Sequence, residues 1–148
     1  MVITNFFKKL IPKGGCIPKR NRTGQRLYRE KLINKFGKCA LEDLHPKLCE
    51  AAHILPYSDC KKKKDKYDIN NGVLLSSTMH KAFDRNFFTI DEKTCKVKIL
   101  ENKLKEIESD FNLADFGLDK IKDKYIKLLD NEESKKYLAK RNKKLFSS

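Results

Sequence analysis

Four residues stand out by type and spacing: His53, Asn71, His80 and Asp84. His53 lies in an apolar run that closes at Pro56, and an imidazole on such a strand can take a proton from water near neutral pH, its unperturbed pKa being about 6.5. Asn71 precedes Gly72 at a turn signal, where a side-chain amide can hold an imidazole in one orientation and tautomer. His80 and Asp84 are spaced i, i+4, so on a helix they share a face and can grip a divalent metal. A metal there would stabilise charge developing on a phosphate and its leaving oxygen. The chemistry indicated is water attack on a phosphate ester. Taken singly, each residue has a plainer reading. His53 would be a core histidine, His80 a helix surface residue, and Asp84 a helix end paired with Arg85. Together, in this order, they favour the site.

The elements that must position these residues follow from the pattern. A helix is expected over 23–36, with Thr23 as cap, Leu27, Ile33 and Phe36 on one face, and Gly37 ending it. A short strand is expected over 38–41, a polar turn over 42–47, and a buried strand over 48–55. A polar loop over 57–70 then leads to a strand over 73–75. Ser76 or Ser77 can cap the next helix, which runs to about Asp84. Segments 87–91 and 96–100 alternate around a polar break and read as a hairpin. Helices are expected over 101–110, 118–129 and 132–146. The fold class is α+β: a strand–strand–helix core with flanking helices and a small hairpin. The domain reading is a basic flexible arm over 1–21, a core over 22–100 and a C-terminal helical extension over 101–148.

Charge points the same way. The 148 residues carry a formal net charge of +14. Residues 1–29 hold 8 basic and no acidic residues, 30–100 hold 14 and 10, and 101–148 hold 12 and 10. The excess therefore sits in the first hundred residues, which suits a polyanionic partner better than uniform lysine usage does. Lys61, Lys62, Lys63 and Lys64 lie between His53 and Asn71, placed for phosphate contact, and Arg22, Arg26 and Arg29 share roughly one helix face. No apolar run approaches the ~18–20 residues of a membrane span. Met1 to Leu10 lacks the apolar run and cleavage site of a secretory leader. Five cysteines without a CxxC pair read as buried, reduced thiols of a cytoplasmic or nuclear protein, in preference to a zinc site from Cys39, His45, Cys49, Cys60 and Cys95.

The motifs resemble those of the HNH endonucleases, in the branch whose first motif reads Ala-Ala-His-Ile. They are Cys49-Glu-Ala-Ala-His-Ile-Leu-Pro56, Asp68-Ile-Asn-Asn-Gly-Val-Leu-Leu75, His80-Lys-Ala-Phe-Asp84 and Phe87-Phe-Thr-Ile-Asp91. Arg22 to Arg29 and Gly37 to Ala40 are similar to the helix and strand that precede the motif, and Tyr137-Leu to Phe146 is a weaker echo. The resemblance implies a ββα-metal fold and DNA as substrate. It implies His53 as general base, Asn71 as the residue that supports the loop and orients the base, and His80 as metal ligand, with Asp84 one turn on. It also implies products with 5′-phosphate and 3′-hydroxyl ends. Many HNH enzymes place a metal ligand just before the base, but here that residue is Ala52. Glu50, Asp59 and Asp68 are possible substitutes. The metal expected is Mg²⁺, with Mn²⁺, Co²⁺ or Ni²⁺ able to replace it. Whether such an enzyme is restriction-like, homing, nicking or nonspecific stays open, and a homodimer is one source of specificity. The alternative from another class is a noncatalytic nucleic-acid-binding module that keeps the fold.

Overall fold

The computed structural model describes residues 19–147, with side chains from Thr23 onward. The expected arm falls largely outside this range, as does Cys16. Helix α1 (Lys19–Phe36) begins a turn earlier than expected, so Thr23 lies inside it. Its buried face is set by Tyr28 and Leu32, while Leu27 is exposed. That face packs on a two-stranded antiparallel ribbon of β1 (Cys49–His53) and β2 (Gly72–Ser76), in which His53 pairs with Gly72 and Glu50 with Leu75. Helix α2 (Ser77–Asp84) follows without a loop, because the Ser76 hydroxyl accepts the Met79 N–H and caps it.

A second ribbon, β3 (Phe88–Ile90) with β4 (Val97–Ile99), lies beyond α2. Helix α3 (Glu101–Ile107) and the C-terminal helix α4 (Glu132–Phe146) complete the architecture. The expected α+β class holds. Leu104, Leu118, Ile121, Leu129 and Leu138 are buried in the same core as Leu74 and Phe83, so residues 101–148 pack with the ββα unit rather than beside it.

Two expected elements do not form. Segment 38–41 is a bend: Ala40 N–H makes one bond to the Leu74 carbonyl, and the Cys39 thiol accepts N–H groups of Glu42 and Ser76. Segment 118–129 is not a helix. Asp123 sits at φ 61, which interrupts a right-handed helix, and the backbone is captured by the hairpin instead. Val97 N–H bonds the Lys124 carbonyl, and Ile126 N–H bonds that of Cys95.

Gly72 was expected to make a turn through backbone freedom, yet it is extended at φ −142. Space requires it. A Cβ there would lie 2.3 Å from the Tyr28 hydroxyl and 2.8 Å from Leu32 Cδ1. Gly72→Ala is therefore expected to lower stability by about 1–3 kcal/mol through overpacking. Urea unfolding of the two proteins checks this, and an unchanged midpoint would show that α1 can yield.

Candidate active site

His53 is the last residue of β1, and its ring is caged by aromatics. Tyr28 stacks on it at 4.7 Å between centroids with planes 22° apart, and Tyr57 meets it edge-on at 5.7 Å. His53 Nε2 lies 2.7 Å from the Lys66 carbonyl. A carbonyl only accepts, so Nε2 carries the proton and Nδ1 carries the lone pair. Burial holds the His53 pKa below the ordinary histidine value, against the opposing pull of the Lys66 carbonyl.

The Asn71 amide bonds the loop backbone, the support that the resemblance implies, rather than the imidazole itself. Among the described residues it makes no hydrogen bond to the His53 ring. Fully buried, it accepts the Leu55 N–H at 2.8 Å and donates to the carbonyls of Asp65 at 3.0 Å and Leu55 at 3.3 Å. It thereby fastens both ends of the loop that carries Lys66. The His53 ring is oriented by that carbonyl and by Tyr28, whose hydroxyl donates to the Asn71 carbonyl at 2.8 Å. Neither partner was legible beforehand, since one is a backbone atom and the other a helix residue far upstream.

His80 is held from both sides. Its Nδ1 lies 2.6 Å from Glu50 Oε2, and its Nε2 lies 3.2 Å from Asp84 Oδ2. Asp84 and Glu50 both raise the His80 pKa, against desolvation, and His80 with Ser77 lowers that of Glu50. Glu50 and Ala52 share a strand face, because side chains alternate. Glu50 is thus the carboxylate, among the three considered, that reaches the helix. Asp59 pairs with Lys144 at 2.6 Å. Asp68 accepts the Asn70 N–H, with the Tyr137 hydroxyl 2.9 Å away.

This donor set fits a divalent ion bound by two protein groups. Nε2 and Asp84 face each other, and Glu50 on Nδ1 fixes the ring from outside, the arrangement that orients metal-ligating histidines. No group of three or more metal-ligating side chains converges among the described residues. Water and phosphate oxygens would fill the remaining positions, as Mg²⁺ favours.

A cavity of about 480 Å³ is lined by His53, His80 and Asp84 from the ββα unit, and by Lys103, Arg141 and Lys144 from the C-terminal part. The last three were not singled out in the sequence; the echo at Tyr137 to Phe146 was the available signal for Arg141 and Lys144, and Lys103 had none. Arg141 is buried, and burial lowers its pKa to about 10, so it stays charged at neutral pH. Its Nε has no hydrogen-bond partner among the described residues.

The basic residues expected to meet nucleic acid divide. Lys61, Lys62, Lys63 and Lys64 are exposed. Arg26 is exposed and near Glu30. Arg29 departs from that expectation: its guanidinium bonds the carbonyls of Cys49 and Pro46, so it is engaged in holding β1 to α1. The Arg22 side chain lies outside the description. The four described cysteines are buried and unpaired, as expected, and among the described residues no helix is long and apolar enough to cross a membrane.

An antiparallel ribbon followed directly by a helix, with a histidine on each, is the arrangement of an HNH nuclease core. Residues 39–91 match the family model described as HNH endonuclease. A nuclease-type function follows from it. No curated protein matches the chain.

With three histidines in the chain, the site can be read by NMR. His80 is expected to titrate above the ordinary histidine value and His53 below it. Mn²⁺ should broaden the His80 ring signals, and Asp84→Asn should raise the Mn²⁺ concentration this needs. Equal broadening in both proteins would remove Asp84 from the metal site.

Proposed function

We propose that this protein is a metal-dependent endonuclease that hydrolyses DNA phosphodiester bonds, with His53 as general base. The observation that carries this reading is the single cavity onto which a neutral, oriented imidazole and a separate imidazole–carboxylate pair converge. His53 Nδ1, free because Nε2 is committed to Lys66, accepts a proton from the attacking water. The Tyr28 stack keeps the ring from turning. His80 and Asp84 hold the ion, and Glu50 keeps Nδ1 of His80 engaged so that Nε2 faces inward. When bound, a divalent ion supplies charge stabilisation at the phosphate and the departing oxygen. Lys103 and Lys144 at the cavity add positive potential that draws the phosphate backbone in.

Plasmid cleavage with Mg²⁺ or Mn²⁺, abolished by chelator, tests the reading. His53→Ala should cut about 10²–10⁴-fold more slowly while still binding DNA. A base whose pKa lies below the ordinary value is deprotonated earlier, so kcat/KM should climb with pH through a value under about 6.5 and then level. A rate that is flat across that range, or His53→Ala within a few-fold of wild type, would remove His53 from the role.

The lysine run gives an independent test. If the protein neutralises Z phosphates, log K falls with log[salt] at about −0.9Z. Replacing Lys61, Lys62, Lys63 and Lys64 with serine should flatten the slope by roughly 1–3 units and weaken binding evenly across sequences. An unchanged slope would make the run an ordinary solvated loop.

A further inference from the structure

Arg141 lies outside the segment that matches the family, yet it touches both halves of the site. Its Nη1 donates to the Ile54 carbonyl at 3.1 Å, one residue past His53. Its Nη2 donates to the Phe83 carbonyl at 2.6 Å, directly before Asp84, and to Asn86 Oδ1 at 2.9 Å. The guanidinium lies 3.7 Å from the centre of the Phe83 ring. The side chain is 4% exposed.

We propose that Arg141 is a positioning residue for the hydrolysis, pinning the strand end that carries the base to the helix end that carries the metal ligands. This rests on the reading of the cavity as the hydrolytic site.

The two carbonyls need a donor. Ile54 and Phe83 are wholly buried, and a buried carbonyl without a partner is costly. The β1–β2 pairing ends at His53, so the Ile54 carbonyl falls beyond the ladder. Phe83 lies in the last turn of α2, where carbonyls lack helical partners; Asn86 N–H takes one lone pair and Arg141 the other. A cation at this end also complements the helix dipole. Only a planar guanidinium offers two donors at fixed separation to two elements at once, whereas an ammonium is a point donor on a flexible stem. Asn86, at φ 60, is the hinge by which the chain leaves α2, and the same guanidinium grips its side chain. The Glu50–His80 contact ties the strand to the helix further up, and this rivet ties the strand end to the helix end, where a misplacement of about 1 Å can cost 10²-fold in rate.

The test is the cleavage kinetics of wild type, Arg141→Lys and Arg141→Ala at saturating metal, with thermal melts at the assay conditions. Arg141→Ala should lose about 10²-fold in kcat with KM for DNA little changed, the signature of an effect confined to the chemical step. Arg141→Lys, which keeps the charge and can bond one carbonyl, should remain folded and still lose about tenfold. Because Arg141 lines an open cavity, ethylguanidinium at millimolar concentration should restore part of the kcat of Arg141→Ala. Sodium chloride at equal ionic strength should not. Wild-type kcat in Arg141→Lys, or losses in both variants that track the unfolded fraction and resist rescue, would overturn the assignment. Absence of cleavage by the wild type would instead overturn the hydrolytic reading beneath it.

Discussion

The amide of Asn71 has no access to water, so each of its polar atoms must find a partner inside the protein. Those partners are the two backbone groups of Leu55, the carbonyl of Asp65 and the Cys60 sulfur. The result is a closed loop whose entry and exit are held together by one side chain. Lys66 is next to Asp65, and its carbonyl fixes the tautomer of His53. The Asn71 carbonyl meanwhile takes the Tyr28 hydroxyl and the Ile54 N–H. Loop shape, ring stack and base orientation therefore share one anchor. Losing the amide would strand three backbone groups before it disturbed the imidazole.

Helix α4 closes the same structure from the other side. Tyr137 places its hydroxyl 2.9 Å from carboxylate oxygens of both Asp65 and Asp68. Arg141, one turn on, reaches Ile54 and Phe83. Asn142 accepts the Thr89 hydroxyl and donates to the Ile90 carbonyl. Three side chains on one helix thus tether the loop, the ββα unit and the second ribbon. A site assigned to residues 39–91 is held in shape by residues far downstream of them.

Much of this was legible in the sequence where the signal is local. The Ser76 cap and the His80–Asp84 spacing define α2, and the charged amphipathic pattern of Glu132–Phe146 defines α4. Local signals failed where tertiary contacts decide. Segment 118–129 has apolar residues at near-helical intervals, and Leu118, Ile121, Ile126 and Leu129 are indeed buried, but by pairing beside β4 rather than by coiling. Arg29 looked like a surface cation because its carbonyl partners are backbone atoms that no side-chain pattern records. The same holds for the Lys66 carbonyl. Residue types announced the candidate base and metal pair; the carbonyl that fixes the His53 tautomer is main chain and left no such signal.

The absence of a ligand at Ala52 follows a physical logic. Ala52 is wholly buried in β1, opposite Val73. A carboxylate there would have to be desolvated, and unless an ion were always bound it would be an unpaired buried charge. Glu50, two residues earlier on the same face, is half exposed at 51%, and Asp84 at 60%. Both can face His80 while remaining hydrated. The two carboxylates, Asp84 foremost, favour the protonated imidazole and so raise its pKa. That pairing favours the fold at pH values below the ordinary histidine pKa and fades as pH rises through the raised value. Its contribution is small because the partners are largely solvated. A divalent ion held at Nε2 would need that nitrogen deprotonated, so its affinity would grow over the pH range in which the pairing weakens. His53, with its pKa held down by burial, is neutral before that range is reached. The two histidines are thus driven in opposite directions, His53 toward the neutral ring and His80 toward the protonated one.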